Sequence, residues 1–158
     1  MIIDLHGPRC LTGPQGTGES LASVTALVQL VRDHVARGLA TSLSKMPTDE
    51  ILFPNIVAAV RRRDPVIREL FERWLDRFTA VLLNAYYAYT PDLILLAGGP
   101  TQAADVFLQK LQARLNASAF RVPVGYRIPV RIAKLGEDAG WVGAALHARD
   151  KFDPEQSA

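Results

Sequence analysis

Leu93-Ile94-Leu95-Leu96-Ala97-Gly98-Gly99-Pro100-Thr101 is the stretch of this sequence best suited to chemistry. An apolar run of strand length ends in glycines that lead into a helix-like segment. Such a turn offers backbone N–H groups and the positive end of a helix dipole where a phosphate can sit. Glycine also meets purely steric needs in a tight strand-to-helix turn. Pro100 stiffens the turn and removes one N–H from it. Two readings therefore stand side by side, a turn that holds phosphate and a turn that only shapes the chain.

Further along, Gly136-Glu137-Asp138-Ala139-Gly140-Trp141-Val142-Gly143-Ala144-Ala145 opens a helix whose small residues recur at spacings of three and four. Gly136, Ala139, Gly140, Gly143 and Ala144 read as packing positions that admit a close neighbour, not as ligand contacts. The triplet Arg61-Arg62-Arg63 offers charge to a phosphate or an acidic partner. It reads better as a solvated helix end complementing the dipole. His34 and His147 fall in helical patterns with no partner at metal-ligand spacing.

These residues depend on an alternating order of helices and strands. Met1 to Leu5 is a short apolar run, a candidate strand, and the glycines and prolines of His6 to Gly18 make a loop. Glu19 to Arg37 carries apolar residues at helical spacing and stops at Gly38. A helix starting near Thr48, delayed by Pro54 and Asn55, runs through Val60. The longest helical pattern spans Pro65 to Tyr89, with Asp64 and Pro65 as favoured start chemistry. Trp74, Phe78, Tyr86, Tyr87 and Tyr89 lie along it as core or dimer surface. A strand at Leu93 to Leu96, a helix at Gln102 to Leu115, a strand at Tyr126 to Ala133 and a helix at Asp138 to Arg149 follow. The order gives an α/β domain.

Composition narrows the function classes. The chain has 158 residues, 49% of them apolar and 22% charged, as in ordinary globular domains. Eighteen basic against sixteen acidic residues give a net charge of +2, too little to argue for nucleic acid or an anionic membrane. A single cysteine excludes an intrachain disulfide and fits a reducing compartment. No secretory signal pattern opens the sequence, and no apolar run approaches the ~20 residues of a membrane span. The expectation is a soluble, cytoplasmic protein with no membrane partner.

From Asn84 to Ala148 the sequence resembles the C-terminal lobe of the ROK family, which comprises bacterial sugar kinases and sugar-responsive repressors. Members carry a helix ending near Asn-x-Pro-(Asp/Glu), a strand, a Gly-Gly-Gly turn, a helix, another strand, and Gly-x-Asp-Ala-Gly-x-x-Gly-Ala-Ala. Asn84 to Asp92, Leu93 to Leu96, Ala97-Gly98-Gly99, Thr101 to Asn116, Val130 to Ala133 and Gly136 to Ala145 match in that order. Upstream, Cys10 to Glu19 resembles the family's zinc loop, with Thr12 and Thr17 where cysteines belong. The resemblance implies an actin-like ATPase (ribonuclease H-like) C-terminal lobe, a sheet flanked by helices. It implies one such lobe over residues 1–150, with 1–18 as a degenerate zinc-loop region and 151–158 as a frayed tail.

The same resemblance assigns roles. Gly98, Gly99 and Thr101 belong to the nucleotide site between two lobes, with ATP as the cofactor it admits, and Ala97 stands where a third glycine is usual. Glu19 matches the glutamate that helps hold sugar hydroxyls, although a carboxylate at a helix start needs no ligand. A hexose or amino-hexose is the implied substrate. Zinc is not expected, since Cys10 with His6 cannot make a four-ligand site.

No Asp-x-Gly-Gly-Thr phosphate loop and no Asn-Asp catalytic pair occur. Phosphoryl transfer draws on both sides of a cleft. The expectation is a truncated ROK-type lobe, non-catalytic alone, serving sugar or nucleotide binding or dimerisation. The alternative is the C-terminal half of a split or longer ATP-dependent hexose kinase. A homodimer and a separate N-terminal lobe are the expected protein partners. Without a helix-turn-helix, direct DNA binding is not expected.

Overall fold

The computed structural model describes residues 1–118 and 127–152. Its elements run α1 (Gly18–Ala22), α2 (Val24–Ala36), a 3-10 turn at Thr48–Glu50, α3 (Phe53–Arg61), α4 (Pro65–Tyr89) and β1 (Ile94–Leu96). A 3-10 turn at Gly99–Ala103 leads directly into α5 (Ala104–Ser118). β2 (Val130–Ile132), a 3-10 turn at Gly136–Asp138 and α6 (Ala139–Phe152) complete it. The domain is α/β, rich in helix, with a small parallel sheet.

α4 is the spine. Asp64 caps it, its Oδ1 accepting from the Val66 and Ile67 amides at 3.0 Å each. Pro65 occupies the first turn, where its missing N–H costs nothing. Thr90, left-handed at φ 44°, ends the helix ahead of Pro91. Ile67, Leu70, Phe71, Trp74, Leu75 and Leu82 recur at helical spacing and are buried. Each large side chain so buried contributes about 1.5–3 kcal/mol. Leu27 and Val31 of α2, Ile56 of α3 and Phe107, Leu111 and Leu115 of α5 close the core around this stripe.

Three local differences from the sequence expectations have clear causes. The helix expected over Glu19 to Arg37 is two helices, broken at Ser23, whose backbone is extended at ψ 164°. The indole N–H of buried Trp74 donates to the carbonyls of both Ala22 and Ser23, each at 3.0 Å. A buried N–H needs an acceptor, and the break presents two. The Ser23 hydroxyl then caps α2 by accepting from the Ala26 amide at 3.0 Å. Met1 to Leu5 forms no strand, only a bridge between Ile2 and Thr17. That segment folds back on Gly16 instead, whose carbonyl accepts from the Ile3 amide at 2.8 Å. A Cβ at Gly16 would sit 1.4 Å from the Asp4 carbonyl oxygen, so only glycine closes this loop.

The third difference concerns α6. None of its residues is buried, and a Cβ at Gly140 or Gly143 would meet nothing within 4 Å. Its small-residue face therefore has no packing partner among the described residues. Tyr126, the expected start of the last strand, lies outside the described residues, as does the tail from 153 onward. No described helix is long and apolar enough to cross a membrane.

Candidate functional site

The two glycine motifs meet at the C-terminal ends of the parallel strands. After β1 the chain turns at Gly98, whose φ of 89° excludes residues with a side chain except under strain. The Gly98 amide donates to the Gly136 carbonyl at 3.0 Å. The Gly98 carbonyl accepts from the Thr101 amide at 3.0 Å and from the Thr101 hydroxyl at 2.7 Å. Gly136 is also left-handed at φ 51°, and a Cβ there would stand 3.5 Å from that hydroxyl. Ala97 has no positive φ, so a methyl group costs nothing where the family has its third glycine. Gly99 has open space where a Cβ would stand, leaving its backbone exposed. Open α/β sheets take their ligands just outside the carboxyl ends of their strands.

Beside Gly99 opens a cleft of about 440 Å³. Val24, Phe53, Pro54 and Val57 form one apolar wall, and Pro100 and Ala103 face them. Polar groups stand at the edge. Arg61 pairs with Asp105 through two bonds, Nε to Oδ2 at 3.0 Å and Nη2 to Oδ1 at 2.7 Å. Those bonds hold the Asp105 carboxyl below its ordinary range and push the Arg61 guanidinium up. The Gln102 amide donates to Glu137 across the two turns. Flat apolar walls with polar groups only at the rim suit an aromatic ring, with an anion placed towards Gly99.

Gly98, Gly99 and Thr101 thus form one turn, as their spacing in sequence requires, and Gly99 reaches the cleft. Glu19 stands apart. It lies in the first turn of α1, exposed, and does not line the cleft. Thr17 caps that turn, accepting from the Ser20 amide at 3.1 Å. The cleft's other wall, around Phe53 and Val57, carried no local signal in the sequence, because apolar residues at a helix start read equally well as core.

The segment around Cys10 does not supply the ligands of a structural zinc. Cys10 Sγ lies 3.0 Å from the Thr12 hydroxyl, which lowers its thiol pKa by hydrogen bonding. Hydroxyls do not replace thiolates around structural zinc. No group of three His, Cys, Asp or Glu suited to a metal exists among the described residues.

The ROK family model matches residues 1–151. This chain belongs to the ROK family. The ROK chain is 24% identical over 155 residues to a glucokinase of Thermotoga maritima, covering 96% of this chain and 48% of that protein. It is 28% identical over 122 residues to the DNA-binding transcriptional dual regulator NagC of Escherichia coli, covering 75% and 29%. Among solved structures, a ROK glucokinase from Streptomyces griseus in complex with glucose and AMPPNP superposes with a TM-score of 0.75. That match has 26% identity and covers 95% of this chain and 50% of the other. The actin-like ATPase fold of the ROK sugar kinases is therefore the fold of this chain. The ROK chain spans about half the length, or less, of the curated relatives it matches.

Proposed function

We propose that residues 1–158 form the nucleotide-side lobe of a ROK-type sugar kinase or sugar-responsive regulator, binding nucleotide without transferring phosphate alone. The bond between Gly98 and Gly136 carries this reading, because it sets both glycine turns beside one cleft. ATP fits the residues present. Phe53, Pro54, Pro100 and Ala103 would take the base, and Gly99 would face the phosphates, with Thr101 holding the turn through the Gly98 carbonyl. ATP, when bound, supplies the phosphoryl group.

Glu137, the carboxylate that lines the cleft, accepts from Gln102, and nearby Asp105 is held in its ion pair with Arg61, which supports the reading without catalysis. Glu19 is the residue proposed for a hexose or amino-hexose, on its match to the family glutamate. A cytoplasmic homodimer completes the proposal, with Tyr89 exposed at the end of α4 as its candidate surface.

Calorimetry at millimolar ATP, ADP, glucose and N-acetylglucosamine tests the reading, together with an assay for ADP release. Saturable heat with ATP and no ADP release is the expected pair of results. Absence of nucleotide binding would remove the nucleotide-binding part of the reading, and ADP release by the isolated chain with glucose would overturn the non-catalytic part.

A further inference from the structure

The two walls of the cleft beside Gly99 are held in different ways. The turn that carries Gly99, Pro100 and Ala103 is tied to the end of the sheet. The Gly98 amide donates to the Gly136 carbonyl at 3.0 Å, and Gln102 donates to Glu137. The opposite wall belongs to α3, whose Phe53, Pro54 and Val57 line the cleft. On its inner side Ile56, Ala59 and Val60 sink into the core. Apolar burial is non-directional, so it keeps α3 on the core without fixing its distance from the turn.

One contact does fix it. Arg61, the last residue of α3, bonds Asp105 in the first turn of α5 through both Nε and Nη2. Among the described residues this pair is the only hydrogen-bonded or ionic link between α3 and α5. A two-pronged guanidinium–carboxylate pair sets distance and orientation together. The cation at the end of α3 and the anion at the start of α5 also complement the two helix dipoles. Their side chains are 50% and 56% exposed, and a pair so exposed adds little to folding stability. Its value is geometric. Arg61 lines the cleft, and Asp105 does not.

We propose that Asp105 is a positioning residue, acting through Arg61 to set the spacing of the two cleft walls and the fit of an aromatic base between them. The inference rests on the nucleotide reading above and adds to it a residue outside the cleft that governs affinity. Contact between a flat ring and its walls is steep in distance. A gap of about 0.5–1 Å forfeits roughly a quarter to a half of each dispersion contact. Without the pair α3 drifts from the turn, and every contact to the ring weakens at once.

The test joins ATP calorimetry to a distance measurement made without ligand. Spin labels are placed on Arg62→Cys at the end of α3 and Gln109→Cys on α5, both exposed, in a Cys10→Ser background. Asp105→Asn, Arg61→Gln and the double variant should each weaken ATP about fivefold or more. The double variant should lose no more than either single one, because the two residues act as a unit. All three should broaden the label distances while the urea midpoint stays near that of the wild type. Arg149→Gln breaks a comparably exposed pair in α6 and should leave ATP affinity unchanged. Unchanged ATP affinity in Asp105→Asn overturns the proposal. So does tighter ATP in Asp105→Asn with weaker ATP in Arg61→Gln, the pattern of a guanidinium that itself takes the phosphate. If the wild type gives no heat with ATP, the nucleotide reading falls and the label distances decide the spacing role by themselves. A broadened distribution in Asp105→Asn then sustains it, and an unbroadened one overturns it whatever the calorimetry shows.

Discussion

The Gly98 amide and the Gly136 carbonyl lie 3.0 Å apart, joining two turns that are distant in sequence. Each turn follows a strand of the same parallel pair, so the bond is fixed by the register Ile94 to Val130 and Leu96 to Ile132. The Thr101 hydroxyl, bonded to the Gly98 carbonyl, fixes the Gly98 side of the pair. The site is thus a property of the sheet and not of either loop alone.

Gly98 and Gly99 are expected to behave differently on substitution. Gly98→Ala places a side chain at φ 89° and should cost about 1–3 kcal/mol. Gly99→Ala meets open space at an ordinary φ, and its stability should stay within about 0.5 kcal/mol of the wild type. Urea unfolding of both checks the contrast. If nucleotide approaches Gly99, calorimetry should show weaker ATP binding in Gly99→Ala despite its normal stability.

Trp74→Phe keeps an aromatic ring in the core but deletes the N–H that serves Ala22 and Ser23. Leaving a buried acceptor unpaired costs about 1–3 kcal/mol, and the lost ring volume adds to it. The urea midpoint should fall accordingly. Hydrogen exchange should rise first at the junction of α1 and α2, since the indole bonds pin that junction to α4.

Asp64 is buried, and burial by itself would raise its pKa. The bonds from Ser42, Ile67 and Val66 outweigh that and hold the carboxyl below the usual range. A folded pKa below the unfolded value of about 3.9 means stability present above that pH and lost as pH falls through the folded value. Asp64→Ala should cost about 1–2 kcal/mol at neutral pH through the lost cap. The gap from the wild type should narrow below about pH 4, where the wild-type carboxylate takes up its proton. Unfolding midpoints measured from pH 7 to pH 2.5 give both numbers.

Arg63 ends α3 in the left-handed region at φ 64°. Its amide bonds to the Val60 carbonyl at 3.0 Å, and the Asp64 amide to that of Ala59 at 3.1 Å, the paired pattern in which glycine is preferred. Arg63→Gly should raise stability by about 1 kcal/mol and increase the melting temperature by a few degrees. No change in melting temperature would show that the chain carries arginine there without strain.

Much of the fold was legible from local pattern. Asp64-Pro65 at one end and Pro91 past the other delimit α4, because capping and proline chemistry act within a few residues of the chain. The apolar run before Gly98 and the helix after it were equally local. The family motifs marked Gly98, Gly99 and Thr101 as a turn, and the turn exists with Ala97 tolerated.

Other features needed the third dimension. The break at Ser23 answers to Trp74, far along the chain, and no helical pattern within α1 and α2 reveals it. The cleft wall at Phe53 and Val57 faces Gly99 only because α3 packs beside the turn. The sequence by itself determined the helices, the glycine turn and the family, since those depend on propensity, capping and motif order. Tertiary structure decided which turns touch, which carboxylates are engaged, and that Gln112 of α5 bonds the outer backbone of Ile128 and Val130. Those are contacts between residues distant in sequence, and only the packed chain brings them within hydrogen-bonding range.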